Sequence, residues 1–436
     1  MGGNARAQAS RILHVTRDMS CCLTNLRCTL IVIAMGLVAA VAEAQEPSAV
    51  HDHSAAASDR PGWSWMGDAN VFVGFNYQKR LFADFSAWES QNWFLGTGTR
   101  ALGAGRLTIQ GMLSLEPFTL GQLLYSGSAR LTAAGGSPQL FQTGESYHGA
   151  PLVNYQHPHD LIMGLGASYR ISRPRVAYVV GADIVGSPTL GPTPFMHRSS
   201  ARDNPQAPLS HHFLDSTHVT PGVLRVGIET ASLTFETSVF RGEEPNENRL
   251  NIDRPRLDSW AGRVGWRHGP WRAQFSGGRL HEPEWFEPYD MTRLTASVAF
   301  DGAAAHRPLS ATLAWGENRE FTPFRGVSDA FLLEADLRAT DATTIYGRAE
   351  KAHKEILGLG YHPKGFGHPH IFSKIGAVTL GVVRDLPIVS RGRLGIGGDV
   401  TLYAMSPDMV LYYDGSRSYH VFLRWRPIAV SLAHVH

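Results

Sequence analysis

Residues 309–338, LSATLAWGENREFTPFRGVSDAFLLEADLR, contain two segments in which apolar and polar side chains alternate. In the first segment, Leu313 and Trp315 fall on one face and Thr312 falls on the other. In the second segment, Leu333 and Glu334 fall on opposite faces. Because successive side chains of a strand point to opposite faces, each segment predicts a strand with one apolar and one polar face.

The same alternation recurs after Met66, and no helical period longer than a few turns interrupts it. It predicts sixteen strands, near 68–78, 91–101, 104–116, 160–171, 175–186, 218–229, 231–241, 257–267, 270–280, 289–300, 308–317, 328–338, 341–350, 372–384, 391–405 and 417–427. Short connections alternate with long ones, and outer-membrane barrels have short periplasmic turns and longer extracellular loops. The predicted fold is therefore all-β, a transmembrane antiparallel β-barrel of about 16 strands with long extracellular loops.

The composition of the 436 residues agrees with such a barrel. Hydrophobic residues make up 43% and charged residues 18%, and the net charge is +2. This composition excludes a polycationic nucleic-acid binder and a disordered chain. A soluble β-sandwich is the alternative, because its strands alternate too. A sandwich of this length would comprise two domains, and no linker divides the chain in the middle.

The N-terminal region predicts export. The apolar run Thr29–Val41 is shorter than the roughly 20 residues of a membrane-spanning helix. Arg27 precedes the run and Ala42-Glu43-Ala44 ends it, which predicts a secretory signal cleaved before Gln45. All three cysteines lie in this signal, so the mature chain has no disulfide and no cysteine-ligated metal site. The predicted organisation is a signal peptide at 1–44, a periplasmic linker at 45–67, the barrel at 68–427 and a C-terminal tail at 428–436.

Over about residues 68–427, this exported, alternating chain resembles bacterial outer-membrane porin-like barrels. The resemblance implies a location in the cell outer membrane, contact with its lipid and lipopolysaccharide, and insertion by the outer-membrane assembly machinery. It implies no nucleic-acid partner and leaves the oligomeric state open. In porins the third long loop folds into the lumen as a constriction. The equivalent segment here is 187–217, and an external flap is the alternative.

Two loop strings look like an uncharacterised family of barrels that are often encoded near heavy-metal efflux systems. The first string is Tyr155-Gln156-His157-Pro158-His159-Asp160. The second runs from Phe195-Met196-His197-Arg198 on to Pro208-Leu209-Ser210-His211-His212-Phe213-Leu214-Asp215-Ser216-Thr217-His218. The likeness implies metal-related traffic and no established activity.

Histidines are concentrated in three of the predicted extracellular loops. They are His148, His157, His159, His197, His211, His212, His218, His353, His362, His368 and His370. Proline keeps the backbone of His157-Pro158-His159 and of His368-Pro369-His370 extended, so the two imidazoles of each tripeptide should diverge, and each tripeptide should supply one ligand to a shared site. Imidazole and carboxylate are ligands of zinc and copper. The candidate ligands of such a divalent ion are His157, His159, Asp160, His197, His211, His212, Asp215, His218, His368 and His370, and the alternative is that these side chains only hydrogen-bond the loops together.

Other chemistry receives less support from the sequence. Asp215, Ser216 and His218 are residue types of a hydrolase, but adjacent strand residues alternate between faces and cannot form a relay. We therefore expect no enzyme. The acidic loop 242–256 is either a calcium site or a solvated loop. Arginines on the polar strand faces predict either a weak anion preference or ion pairs across the lumen.

The predicted function is a porin-like channel for small polar solutes or ions that is linked to metal traffic. The alternatives are a closed barrel whose histidine-rich loops bind a transition metal or a partner, and a lipid-modifying outer-membrane enzyme. Within the barrel, arginine at Leu313 or Leu333 should destabilise the lipid-facing wall, and arginine at Thr312 should be tolerated.

Overall fold

The computed structural model describes residues 62–82, 84–120, 136–147, 150–284, 289–321, 326–356, 372–387, 392–427 and 430–433. Its strands are β1 Ser64–Lys79, β2 Phe85–Glu89, β3 Asn92–Leu102, β4 Gly105–Leu113, β5 Ser137–Tyr147, β6 Ala150–Gln156, β7 Ile162–Ser172, β8 Ala177–Gly186, β9 Thr220–Glu229, β10 Leu233–Phe240, β11 Ser259–His268, β12 Trp271–Leu280, β13 Met291–Ala304, β14 Arg307–Glu320, β15 Val327–Thr340, β16 Thr343–Glu355, β17 Phe372–Asp385, β18 Gly392–Met405, β19 Arg417–Pro427 and β20 Val430–Ala433. The short helices are α1 Glu116–Thr119, α2 His211–Leu214 and α3 Pro407–Tyr413, with 3-10 turns at Phe195–His197, Ser199–Ala201 and Ser216–His218. Among the described residues, no helix has the length and apolar character needed to cross a membrane.

The sheet closes on itself as an antiparallel barrel of sixteen strands. Its first strand, β1, pairs with the last one, β19, from Val71 opposite Trp425 to Lys79 opposite Arg417. The segments β2 and β3 pair with successive parts of β1 and form one interrupted barrel strand. The segments β19 and β20 form another, because β20 also pairs with β1. Closure leaves no unpaired edge, as a barrel in lipid requires.

All sixteen predicted strands are present, with ends shifted by a few residues. The predicted fold class is therefore confirmed. The predicted signal peptide lies outside the described residues. The strand β1 begins at Ser64, inside the predicted linker, and β20 lies in the segment predicted as a tail.

The outer surface of the barrel is apolar. Its exposed side chains include Val180, Val226, Phe235, Val264, Phe275, Val298, Leu313, Phe331, Val378, Leu380, Ile396, Leu402, Val421 and Leu423. Exposed tryptophans lie toward both ends of the strands, at Trp65, Trp88, Trp260 and Trp266. An apolar band flanked by aromatic residues is the lipid-facing surface of an outer-membrane barrel. The protein therefore resides in the outer membrane, and a soluble sandwich with its core between two sheets is excluded.

Eight connections lie at one end of the barrel, and we name them in chain order. They are L1 80–84, L2 114–161, L3 187–219, L4 241–258, L5 281–290, L6 321–326, L7 356–371 and L8 406–416. The opposite end has short turns, such as the two-residue links Gly103-Ala104, Gly269-Pro270 and Ala305-His306. Short turns are periplasmic, so the eight loops are extracellular.

The buried apolar core lies inside the lumen. It joins Leu140 and Phe141 of β5 and Phe213 of L3 to the wall residues Leu332 and Ile375. The described parts of L2 and L3 therefore fold inward into the barrel. This inward folding corrects one expectation: Thr312 faces the lumen but is only 4% exposed, because Ser200 of L3 packs on it. An arginine at this position would have to displace L3.

Candidate functional site within the lumen

The loop L3 crosses the barrel interior, as the resemblance to porins implied. Gly191 near its start has φ +84°, and a Cβ there would lie 1.9 Å from the carbonyl oxygen of Leu214. Only glycine permits this close approach of the two ends of the loop. The side chain of Ser200 in the middle of L3 is 2.7 Å from Thr312 on the wall. L3 is therefore a constriction inside the lumen and not an external flap.

One buried ion-pair network ties L3 to the wall strands β15 and β16. Arg198 donates to Glu334 Oε1 at 2.6 Å and to Asp215 Oδ2 at 2.7 Å. Arg348 donates to the other oxygen of Glu334 at 3.1 Å. Burial alone would raise the pKa of Asp215, but Arg198 and the hydrogen bond from His211 outweigh it and hold that pKa below its usual value. Removing one member would leave buried charges uncompensated, which costs roughly 3–5 kcal/mol.

A second network ties L3 to β19. Arg424 donates to Asp203 at 2.5 Å, and Arg426 donates to the same carboxylate oxygen. Burial opposes ionisation of Asp203, but the two guanidinium groups hold its pKa below the usual value. On another wall strand, Arg293 donates to Ser216 of L3 at 2.8 Å. Arg198, Arg348, Arg424 and Arg426 therefore pair with carboxylates in the lumen, which favours the second of the two alternatives that the arginine-rich faces left open, whereas the hydrogen-bond partners of Arg293 are neutral.

The hairpin of β5 and β6, part of L2, also enters the lumen. Gln139 donates to the carbonyl of Ala207 in L3 at 2.7 Å. Asn76 of β1 donates to the carbonyl of Pro138 at 2.8 Å. Asn154 donates to the hydroxyl of Tyr413 in α3 at 2.8 Å. The hairpin, L3 and L8 are therefore joined to one another across the barrel.

Two cavities remain beside these loops. The lining of one combines the amide side chains of Asn70, Gln91, Asn92, Gln139, Gln156, Asn204 and Gln206 with the apolar side chains of Phe72, Trp93, Leu120, Phe195 and Met196. The other lies on the side of Arg348, Thr379 and Thr401. Both cavities are lined by Gln139, Asn204, Gln206 and Ala207. The tip of L3 and the hairpin therefore lie between the two cavities.

Five of the predicted histidines form a continuous buried cluster between L2 and L3, with His157 and His159 on L2 and His211, His212 and His218 on L3. Ring centroids are 5.1 Å apart for His159 and His218, 5.2 Å for His211 and His218, and 5.4 Å for His211 and His212. The described parts of L2 and L3 therefore bring these five histidines together.

Two other candidate ligands, His197 and Asp160, have different surroundings. His197 packs edge-on against Trp93, with ring centroids 4.6 Å apart. Asp160 accepts from Arg249 of L4 at 3.2 Å. Burial raises the pKa of Asp160 to about 6, although Arg249 opposes the shift. His368 and His370 lie outside the described residues.

The pair of His159 and His218 is the tightest contact in the cluster. His159 Nδ1 lies 2.7 Å from Glu116 Oε2, and His218 Nδ1 lies 2.7 Å from the carbonyl oxygen of Asp215. Because these oxygens accept, each Nδ1 carries the hydrogen in the neutral ring. The two Nε2 lone pairs then face each other at 3.1 Å. Glu116 was missed by the sequence analysis because it lies in a different part of L2.

The other group combines His157, His212 and Glu244. One ligand atom from each lies within 4.8 Å of the others, and all three residues are buried. Glu284 of L5 adds a carboxylate 3.4 Å from His212 Nδ1. The sequence offered Glu244 only as part of an acidic loop. The structure shows that Glu244 and Asp253 are buried, so that loop is not uniformly solvated.

Burial favours the neutral form of His157, His211 and His218. It lowers the pKa of His211 to about 4, although the hydrogen bond to Asp215 opposes the shift. Burial, helped by Arg249, lowers the pKa of His157 well below its usual value. Neutral imidazole is the form that binds metal ions.

The residue types of a hydrolase in L3 have other partners. Ser216 accepts a hydrogen bond from Arg293, and the ring of His218 donates to the backbone carbonyl of Asp215, so these side chains form no hydrolase relay.

Comparison with known proteins gives likeness of fold alone. No family model and no curated protein matches the chain. Solved structures that are similar include an anion-selective porin from Comamonas acidovorans, at 12% identity and TM-score 0.46 over 84% of this chain and 99% of that one. The outer membrane channel DcaP of Acinetobacter baumannii is similar at 9% identity and TM-score 0.49, over 84% and 97%. Salmonella typhi OmpF in complex with daunomycin gives 9% identity and TM-score 0.49, over 83% and 97%.

Proposed function

We propose that the protein is a porin-like channel of restricted bore for small polar solutes or ions. The observation that carries the proposal is that L3 is held inside the lumen by buried ion pairs, beside an amide-lined cavity. A constriction built from a loop tied to the barrel wall limits the size of what passes. Outer-membrane lipid, lipopolysaccharide and the assembly machinery are the partners we expect for such a barrel.

The amide side chains in the lining of the first cavity favour the binding of polar solutes that carry little charge. Its amide side chains both donate and accept hydrogen bonds, so they can replace the water around hydroxyl and amide groups. The neighbouring arginines of the lumen are paired with carboxylates, as in the contacts of Glu334 and Asp203. Paired charges leave little net field to select ions by sign.

A closed barrel whose loops bind a metal or a partner is the second candidate function. It is favoured by the hydrogen bonds that join the β5–β6 hairpin, L3 and L8 across the barrel. A role in metal traffic is compatible with this second candidate and with a channel whose entrance binds metal. The expectation that the protein is not an enzyme stays a prediction.

Single-channel recording in planar bilayers tests the channel. We expect small, uniform conductance steps for the wild type and larger steps for Glu334→Gln, because the substitution weakens the anchor that Arg198 and Arg348 make. Glu317→Gln is the matched control, since Glu317 pairs with Arg319 away from L3. If neither the wild type nor Glu334→Gln conducts after verified refolding, the channel is rejected in favour of the closed barrel.

A further inference from the structure

We propose that His157, His212 and Glu244 bind one divalent transition-metal ion at the junction of three extracellular loops. His157 belongs to L2, His212 to L3 and Glu244 to L4. The proposal does not depend on whether the barrel conducts, because it concerns the binding of an ion to the loops. It can therefore fail or succeed independently of the channel.

The three side chains have separations close to those of a ligand set. His157 Nε2 lies 4.0 Å from Glu244 Oε2, and His212 Nδ1 lies 3.7 Å from Glu244 Oε1. Around a tetrahedral zinc ion with bonds of about 2.0–2.2 Å, neighbouring ligand atoms are roughly 3.4 Å apart. Small side-chain rotations would therefore bring all three to bonding distance.

The hydrogen bonds of His157 fix which of its nitrogens can act. Its Nδ1 lies 3.0 Å from the carbonyl oxygen of Pro158, which can only accept, so Nδ1 carries the hydrogen. Its Nε2 is then a lone pair, buried and without a hydrogen-bond partner. A ring nitrogen oriented by a hydrogen bond on its other nitrogen is typical of a metal-ligating histidine.

The second histidine and the nearby carboxylates complete the chemistry. His212 presents Nδ1 as its ligand atom, so in the metal-bound ring the hydrogen is on Nε2. Its Nδ1 faces two carboxylates, from Glu244 at 3.7 Å and Glu284 at 3.4 Å. Two imidazoles and one carboxylate form a known catalytic zinc ligand set, and imidazole also suits copper. Glu284, which lies beside the same nitrogen, is placed to bind as a fourth ligand.

Metal titration of the full-length, refolded and chelator-stripped protein in detergent tests the site. Isothermal titration with Zn²⁺ should show a site that His212→Gln and Glu244→Gln each weaken. The Zn²⁺ affinity of each variant should fall by at least roughly 10–100-fold. That is the loss caused by removing a side chain that only orients a metal ligand. His281→Gln is the matched control, because His281 is a half-exposed histidine of L5 paired with Asp290. Cu²⁺ bound to the same site should show nitrogen hyperfine coupling that weakens in His157→Gln.

The variants also separate this site from the neighbouring imidazole pair. Each variant must first show the heat-modifiable electrophoretic mobility of a folded barrel. If a histidine variant fails to fold, Glu244→Gln still tests the site, because glutamine keeps the shape of the glutamate side chain. His218→Gln should leave the Zn²⁺ affinity of the proposed site within a few-fold of the wild type. Loss of binding in His218→Gln with retention in Glu244→Gln would overturn the assignment, as would equal binding by the wild type and Glu244→Gln.

Discussion

At the residue scale, the proline between His157 and His159 determines how the histidines are used. The sequence predicted that the two imidazoles diverge, because proline keeps the local backbone extended. In the structure His157 faces Glu244, and His159 faces Glu116 and His218. The divergence was predictable because it is local. The partners were not, because Glu116 and Glu244 come from distant parts of the chain.

Whether a wall residue faces lipid or the lumen determines how much an arginine at its position destabilises the barrel. Leu313 lies in the middle of β14 and is exposed on the outer surface. We expect Leu313→Arg to lower the free energy of unfolding by roughly 2–4 kcal/mol, because the charge enters lipid near the midplane. Urea unfolding in lipid vesicles measures the change.

The control is an arginine at the same depth on the other face. Ser297 lies on β13, one residue from the partner of Leu313, and faces the lumen without being fully buried. Ser297→Arg should cost less than about 1 kcal/mol. Equal destabilisation by both variants would contradict the assignment of the two faces.

At the element scale, L3 depends on one glycine. A Cβ on Gly191 would overlap the carbonyl of Leu214, whereas a Cβ on Gly269 in a periplasmic turn meets nothing within 4 Å. Both residues have positive φ, so both alanine variants carry roughly 1–2 kcal/mol of backbone strain. Only Gly191→Ala should also displace L3.

Limited proteolysis with mass spectrometry distinguishes the two variants. Gly191→Ala should be cleaved within 187–219 while the barrel keeps its heat-modifiable mobility. Gly269→Ala should resist cleavage in L3 as the wild type does. An unchanged L3 digestion pattern in Gly191→Ala would show that the loop accommodates the added carbon.

At the scale of the whole molecule, the barrel is defined by the seam between its first and last long strands. Tyr77 lies directly opposite Tyr419 across this seam. Directly opposed residues in an antiparallel pair have Cα atoms about 4.5–5.5 Å apart, within the range of a disulfide. Tyr77→Cys with Tyr419→Cys should therefore crosslink in the folded protein, which contains no other cysteine after residue 28.

A pair offset by two residues provides the control. Val421 is opposite Phe75, so Tyr77→Cys with Val421→Cys places the Cα atoms more than about 7 Å apart. This pair should stay reduced, as measured by thiol labelling after oxidation. Crosslinking of the offset pair in preference to the opposed pair would mean a different closing register.

The sequence by itself determined the sixteen strands, their two faces and the end at which the long loops lie. These features follow from side chains that alternate with period two and from turn lengths, which are local properties of the chain. The tertiary structure alone decided that L3 and the β5–β6 hairpin fold into the lumen, that Thr312 is buried, and which carboxylate faces each histidine. Those contacts join residues far apart in the chain, and an alternating pattern contains no information about which distant loops meet inside a closed barrel.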